Sequence, residues 1–185
     1  FTGRFYATDS MIPTATRRLA HQLANISLIG MPGCGKTTIG AALAKRLGKT
    51  FVDLDEEIER RTGNNIPDIF AREGEEAFRR YEADTLANLA KQTGQVIACG
   101  GGVIKTPANV RALRQNGTVL WVQRPLGKLA TGGRPLSQGG AALKQLQAER
   151  PPFSRAAANA VLDNSTTLNN VVEAAVRIFE SDNLL

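Results

Sequence analysis

The sequence predicts an α/β fold: one three-layer domain whose central five-stranded parallel sheet is covered by helices on both faces. Short apolar runs rich in β-branched residues alternate with longer amphipathic segments, and glycines or prolines separate the two kinds. A chain of 185 residues suffices for one full core but not for two substantial domains. Strands that alternate with helices pair in parallel through right-handed crossovers, so their carboxyl ends meet at one edge, where such sheets bind ligands.

Five short runs are the predicted strands. Their mainly apolar side chains suit strands that are buried on both faces. In chain order they are residues 25–29, 50–53, 95–99, 118–122 and 160–162.

The segments between these runs have helical periodicity. Ile39, Leu43 and Leu47 share one face of the first, and Gly48 follows as a helix stop signal. The predicted helices are 38–47, 55–62, 67–71, 75–91, 106–114, 141–149 and 169–179. Pro151 and Pro152 are expected to end the sixth of them, because proline interrupts a helix interior.

The domain is expected to span residues 25–185. Residues 1–24 have a mixed composition and are interpreted as an N-terminal extension, a tag or a linker. Residues from about 123 to 140 are rich in glycine, proline and arginine and lack a period, so they are expected to form a mobile lid.

Composition narrows the classes of ligand. Lysine and arginine exceed aspartate and glutamate by 23 to 17, which favours anionic partners. Only 5% of residues are aromatic and no basic run has aromatics interleaved with it, so small anions fit better than nucleic acid. The two cysteines do not have a metal-binding spacing, and no run approaches the ~20 apolar residues of a membrane span. A cytoplasmic protein without nucleic-acid or membrane partners is expected.

Residues 30–38 read GMPGCGKTT and match the phosphate-binding pattern G-x-x-x-x-G-K-[ST] between a predicted strand and a predicted helix. Glycines let the backbone amides curl around phosphate oxygens at a helix N-terminus, which attracts anions. Lys36 is expected to reach the β- and γ-phosphates, and Thr37 to bind Mg²⁺. The expected nucleotide contacts are Gly33, Cys34, Gly35, Lys36, Thr37 and Thr38. The alternative is a glycine-rich turn before an ordinary helix, which the strand, the helix and the Lys-Thr pair together disfavour.

Two further loops follow the second and third predicted strands. The first carries Asp53, the expected second anchor for Mg²⁺, and Asp55, which points the same way along an extended segment. Asp55 is a candidate for orienting a substrate hydroxyl and accepting its proton. Alternatively, Asp55 caps the helix that it opens, and the two roles are compatible.

Six segments in order and approximate spacing resemble the shikimate kinase family, over about residues 25–180. Each segment alone is a weak signal, whereas six in register are specific. They are GMPGCGKTT at 30–38, FVDLDEEIE at 51–59, FRRYE at 78–82, CGGGVI at 99–104, GRPL at 133–136 and ERPPF at 149–153. The resemblance implies a P-loop kinase fold and MgATP-dependent phosphorylation of the 3-hydroxyl of shikimate, in aromatic amino acid biosynthesis.

The resemblance also assigns residues. It implies that Asp55 accepts hydrogen bonds from the ring hydroxyls and that Arg79 and Arg150 bind the carboxylate, which suits a planar guanidinium fork. Gly101 and Gly102 would bring backbone N–H groups close to a hydroxyl. For Arg79, the alternative is an exposed helix residue that pairs with Glu75 or Glu82.

Arg134 resembles the lid arginine that reaches over ATP when the lid closes, which excludes water from the transfer. Its alternative is an ordinary surface arginine. The implied assembly is a monomer with one Mg²⁺ per subunit and ATP as co-substrate.

Two other functions stay open at this point. One is a different small-metabolite kinase of the same fold, such as a gluconate kinase, which the carboxylate-binding pair Arg79 and Arg150 disfavours. The other is a noncatalytic nucleotide-dependent interaction module, which intact Lys36, Thr37 and Asp53 disfavour.

Overall fold

A computed structural model of the chain describes residues 19–129 and 151–182. Their five strands form one parallel sheet in the order β2-β3-β1-β4-β5. The strands are β1 (Asn25–Gly30), β2 (Thr50–Asp53), β3 (Gln95–Ala98), β4 (Gly117–Gln123) and β5 (Ala160–Asp163). All five predicted strands are confirmed, with ends that shift by a residue or two.

Helices connect the strands in the expected alternation. They are α1 (Lys36–Leu47), α2 (Leu54–Thr62), α3 (Ile66–Ala90), α4 (Pro107–Gln115), α5 (Pro151–Ala157) and α6 (Leu168–Asp182). Short 3₁₀ turns cover Val103–Lys105 and Leu126–Lys128, and residues 19–23 are helical. Among the described residues, no helix is long and apolar enough to cross a bilayer.

Two apolar clusters lie on opposite faces of the sheet. One packs α1 and α6 against the sheet and contains Leu28, Leu43 and Phe179. The other packs α2, α3, α4 and α5 against the opposite face and contains Ile29 and Trp121. Neighbouring strand residues point to opposite faces, so β1 contributes to both clusters. The predicted three-layer α/β domain is therefore confirmed.

The two helices predicted at 67–71 and 75–91 form one bent element. Asn65 caps α3 by accepting a hydrogen bond from the N–H of Asp68, and Gly74 interrupts the helix with φ 82° and ψ 178°. A side chain is disfavoured in this backbone conformation, so glycine suits the bend. The bend turns the second part of α3 toward the glycine-rich loop that follows β3.

The expectation about Pro151 and Pro152 was incomplete. They begin α5, because proline is tolerated in a first turn, where its missing N–H costs no helical hydrogen bond. The helix predicted at 141–149 lies outside the described residues. Of the predicted lid, the structure describes residues 123–129, and Leu129 is buried in the cluster beneath α1 and α6.

Residues 19–24 are tied to the domain by Lys49. Its ammonium group donates to the carbonyl oxygens of His21 at 2.9 Å, Gln22 at 3.0 Å and Ala24 at 2.7 Å. Carbonyls at a helix C-terminus favour such a cation. The helical turn before β1 therefore packs on the sheet domain, while the predicted boundary at residue 25 stays a prediction.

Candidate active site

The loop between β1 and α1 surrounds the buried side chain of Lys36. Its ammonium group donates to the carbonyl oxygens of Gly30 at 3.1 Å and Met31 at 3.0 Å. Only 5% of the residue is exposed. These contacts hold the cation at the mouth of the loop, where the sequence predicts phosphate.

The loop depends on glycine at two close contacts. A Cβ on Gly30 would lie 2.4 Å from the carbonyl oxygen of Val122. A Cβ on Gly35 would lie 2.6 Å from Nδ2 of Asn164, and the φ of Gly35 is 101°. Asn164 itself donates to the carbonyl oxygen of Cys34 at 2.7 Å. A residue that follows β5 thus fixes the loop that follows β1.

Thr37 and Asp53 lie side by side, as predicted. The Thr37 hydroxyl donates to Oδ2 of Asp53 at 2.8 Å, and Oδ1 of Asp53 accepts from the backbone N–H of Asp55 at 3.0 Å. Asp53 is therefore the cap of α2, and Asp55 lies in the first turn. The alternative in which Asp55 caps the helix was wrong, because the preceding aspartate already accepts that hydrogen bond.

Arg79 projects from α3 and is held by carboxylates. Its Nη1 donates to Oε2 of Glu82 at 2.9 Å, while Nη2 and Nε donate to Oε1 of Glu75 at 3.0 and 3.3 Å. The guanidinium also lies 5.2 Å from the ring centre of Phe78. The sequence alternative of pairing with Glu75 or Glu82 is thus realised with both residues at once, and Arg79 is only 22% exposed.

The glycine loop after β3 brings Asp55 and Arg79 to one place. A Cβ on Gly100 would lie 2.9 Å from Oδ1 of Asp55 and 3.2 Å from Oε1 of Glu82. A Cβ on Gly102 would lie 2.4 to 2.7 Å from the guanidinium of Arg79. Glycine lets these side chains keep their present positions against the loop, whereas an added Cβ would push them aside.

Burial and the neighbouring charged groups shift the pKa values of Arg79 and Cys99. Burial lowers the pKa of Arg79, but Glu82 and then Glu75 outweigh it, so the net pKa is raised. Burial raises the pKa of the Cys99 thiol beneath the site, and Glu82 and Asp55 add to that effect against Lys36. The thiol is therefore neutral, and both Cys34 and Cys99 are buried away from reagents in solution.

A cavity of about 470 Å³ opens above the carboxyl ends of β1 and β4. Gly30 and Gly101 line it on one side, and Arg155 of α5 lines it on another. Arg124, which follows β4, also lines it, and its buried Nε has no hydrogen-bond partner among the residues that the structure describes. The cavity thus joins the phosphate loop to the glycine loop through a partly cationic wall.

Most of the predicted site residues that the structure describes lie near this edge. Arg134 and Arg150 fall outside the described residues. Sequence reasoning named Glu82 only as an alternative partner of Arg79, three residues earlier on the same helix face. It missed Asn164 and Arg124 as parts of the site.

Few metal-binding side chains lie together in the part of the chain that the structure describes. Within residues 19–129 and 151–182, no three His, Cys, Asp or Glu side chains are arranged around a common metal position. Thr37 and Asp53 supply one hydroxyl and one carboxylate. Mg²⁺ in nucleotide sites commonly takes one or two such ligands, with water and phosphate completing the shell.

Comparison with known proteins agrees with this geometry. The family model for shikimate kinase matches residues 32–180. A shikimate kinase of Nitrosomonas europaea is 45% identical over 148 residues, which cover 76% of this chain and 70% of that protein. The solved structure of a shikimate kinase from Acinetobacter baumannii in complex with shikimate superposes with a TM-score of 0.83 at 34% identity, covering 91% of this chain and 99% of the other.

A gluconokinase from Sinorhizobium meliloti is more distant. It superposes with a TM-score of 0.61 at 18% identity, covering 88% of this chain and 96% of the other. At that identity the likeness shows a shared fold alone.

Proposed function

We propose which residues of this chain, a member of the shikimate kinase family, carry out each part of the family's reaction. The chain is an ATP-dependent phosphotransferase that acts on an alcohol group, and the family's reaction transfers the terminal phosphoryl group of ATP to the 3-hydroxyl of shikimate. The observation that carries the division of roles is the convergence of Asp55 and Arg79 on the glycine loop, beside the loop that surrounds Lys36.

The nucleotide half is assigned to the loop after β1. Backbone N–H groups of Gly33, Cys34, Gly35, Lys36, Thr37 and Thr38 are proposed to cradle the phosphates. Lys36 donates to the β- and γ-phosphates once ATP competes with the two carbonyls that now accept its hydrogen bonds. Thr37 and Asp53 are proposed to hold one Mg²⁺, which neutralises phosphate charge when bound.

The acceptor half is assigned to α2, α3 and the glycine loop. Asp55 orients the 3-hydroxyl and accepts its proton, and Arg79 binds the shikimate carboxylate through its planar fork. Backbone N–H groups of Gly101 and Gly102 donate to ring hydroxyls. The roles of Arg150 as a second carboxylate ligand and Arg134 as the lid cation rest on the family resemblance.

The chemistry then depends mainly on position. A direct in-line transfer needs the acceptor oxygen close to the γ-phosphorus, and side chains that stay in place while charge moves. Asp55 takes the proton as the new P–O bond forms and the bond from the γ-phosphorus to the β,γ-bridging oxygen breaks, with ADP as the leaving group. Lys36 stabilises the charge on the transferring group. We expect a monomer that acts in the cytoplasm on these two small molecules.

A coupled assay of ADP release tests the proposal directly. We expect ADP release with shikimate, and background release with gluconate or with no acceptor. Asp55→Asn and Lys36→Met should abolish the shikimate-dependent signal while circular dichroism and thermal unfolding show that the variants are folded. Unchanged ADP release on adding shikimate to a folded, Mg²⁺-supplied sample would refute the function.

The metal assignment has a separate test. Chelation should stop turnover, and added Mg²⁺ should restore it. The Mg²⁺ concentration needed for half-maximal turnover should be higher in Asp53→Asn than in the control Glu56→Gln. Glu56 is an exposed carboxylate three residues after Asp53. Equal Mg²⁺ requirements in the two variants would remove Asp53 from the role.

A further inference from the structure

The two carboxylates on Arg79 differ in burial and in the edge of the guanidinium that they occupy. Glu82 is 1% exposed and accepts from Nη1, which is turned into the protein. Glu75 is 57% exposed and accepts from Nε and Nη2, which together form the side edge of the guanidinium fork. One carboxylate is therefore a fixed part of the interior, whereas the other reaches in from solvent.

Two further contacts surround the guanidinium of Arg79. The backbone of Gly102 lies against it, close enough that a Cβ there would overlap it. Phe78 lies beneath it at 5.2 Å. A carboxylate that binds the Nε–Nη2 edge takes the hydrogen bonds that Glu75 now holds.

We propose that Glu75 is an affinity-determining residue that occupies the position of the substrate carboxylate until the substrate displaces it. This inference rests on the proposed function, because it takes Arg79 to be the carboxylate ligand. Glu82 keeps Arg79 oriented throughout, and Glu75 leaves for solvent when shikimate enters.

The geometry explains why the substrate wins the exchange. Glu75 uses a single oxygen, Oε1, for both N–H groups, and one of those contacts is long at 3.3 Å. A substrate carboxylate can place one oxygen on each N–H, the parallel arrangement that guanidinium forks favour. An exposed ion pair between side chains of one helix contributes little, so its loss lowers substrate affinity without preventing binding.

The exchange concerns acidic acceptors alone. A neutral ring alcohol does not replace the charge of Glu75 on Arg79, so it leaves the ion pair in place. A carboxylated ring removes Glu75 and supplies an equivalent charge. Glu75 therefore lowers the affinity for acidic acceptors by a small factor and leaves the affinity for neutral ones unchanged.

Calorimetric titration of shikimate into wild-type protein and into Glu75→Gln tests the sign of this effect. Because glutamine lacks the charge that competes for Arg79, we expect Glu75→Gln to bind shikimate about two- to fivefold more tightly. The Michaelis constant for shikimate should fall by a similar factor, with kcat unchanged. Glu75→Ala should shift affinity in the same direction, since both variants remove the competing carboxylate.

Two controls separate competition from general charge effects. Glu76→Gln makes the same charge change at the next exposed position and should shift affinity less than Glu75→Gln. The carboxamide of shikimate carries no anionic charge, so it should bind Glu75→Gln without the gain in affinity seen for shikimate. Equal gains in Glu76→Gln, or an equal gain for the carboxamide, would overturn the inference.

An unchanged or lower shikimate affinity in the Glu75 variants would contradict the inference. If Glu75 positions Arg79 for the substrate, Glu75→Gln and Glu75→Ala will bind shikimate as the wild type does or more weakly, and the inference is wrong. If wild-type protein does not bind shikimate, the proposed function fails and this inference fails with it. Normal wild-type binding with no gain in Glu75→Gln overturns the inference alone.

Discussion

The two halves of the candidate site are built in different ways. In the nucleotide half, the cation of Lys36 is 5% exposed and donates to carbonyl oxygens five and six residues earlier in the chain. In the acceptor half, the cation of Arg79 is 22% exposed and pairs with carboxylate side chains of its own helix. One half is shaped by the backbone and the other by ion pairs between side chains.

The contrast shows where each half can change. A loop whose geometry comes from glycines and main-chain carbonyls tolerates few substitutions, because a Cβ at Gly30 or Gly35 meets other atoms at 2.4 to 2.6 Å. Ion pairs between side chains can be exchanged one at a time. We therefore expect changes in the nucleotide half to reduce the chemical step, and changes in the acceptor half to alter affinity for the acceptor.

The largest expected effect is that of Lys36→Met. Removing the buried cation that we propose to contact the transferring phosphate should lower kcat by about 10²- to 10³-fold or more. Steady-state kinetics at saturating shikimate measures this loss. Lys45→Met, in the last turn of the same helix and exposed, is the matched control and should keep kcat within about twofold. A loss of less than tenfold in Lys36→Met would place the catalytic charge elsewhere.

Arg79→Ala should act on the acceptor half alone. Losing a charge-paired ligand costs roughly 2–4 kcal/mol, so the Michaelis constant for shikimate should rise about 30- to 1,000-fold. The constant for ATP should stay near its wild-type value. Arg80→Ala removes the next, exposed arginine and should leave both constants close to normal. A comparable loss of ATP affinity in Arg79→Ala would contradict the division into two halves.

Arg79→Ala also removes the ion pair between Arg79 and buried Glu82. Arg79→Lys is therefore tested as a second variant. It keeps the charge but not the planar fork, and its Michaelis constant for shikimate should lie between those of the wild type and Arg79→Ala. Thermal unfolding distinguishes a folded protein with poor binding from one that has lost its structure.

Gly102→Ala should produce an intermediate effect that passes through Arg79. The added Cβ would overlap the guanidinium, which must move because it is the flexible end of its side chain. We expect shikimate affinity to fall about tenfold with a small change in melting temperature. When Gly102→Ala is added to Arg79→Ala, shikimate affinity should fall little further, because the guanidinium that the new Cβ would displace is absent. Fully additive losses in this double-mutant cycle would show that Gly102 acts independently.

The smallest predicted effect concerns the contact between the segment after the edge strand β5 and the loop after the central strand β1. Asn164→Ala removes the hydrogen bond to the carbonyl oxygen of Cys34 and should cost about 1 kcal/mol. We expect the melting temperature to fall about 2–4 °C and the Michaelis constant for ATP to rise a few-fold. Ser165→Ala removes only a hydrogen bond to Asp163 in the same loop and should leave ATP affinity unchanged. Equal ATP constants in the two variants would mean that Asn164 does not support the phosphate loop.

Local sequence patterns predicted most of the fold. Each strand is a short apolar run, and each pattern is complete within a few neighbouring residues, so parallel pairing followed from alternation. The order of the strands in the sheet came from the structure. The errors lay where local chemistry was ambiguous. Proline marks both the end of one helix and the first turn of the next, so Pro151 and Pro152 hid the start of α5.

In the site as well, features set by residues close in sequence could be predicted, whereas contacts between residues far apart in sequence could not. The phosphate-binding motif at residues 30–38 could be interpreted from its own sequence. Thr37 lies beside Asp53, as the sequence predicted. Asn164 lies 130 residues from the loop carbonyl that it contacts, and no local pattern indicates that pairing. The cap on α2 was also misjudged, because Asp53 and Asp55 are equally suitable by residue type.

The sequence by itself determined the alternation of strands and helices, the phosphate loop and the kind of chemistry that its lysine and threonine support, because these depend on residues that are neighbours in the chain. Only the tertiary structure decided that Glu82 is buried behind Arg79 while Glu75 occupies its open edge. Both glutamates lie on the same helix within reach of the arginine, so the sequence treats them as equivalent partners. Their difference comes from the glycine loop and the packed face against which one of them is turned.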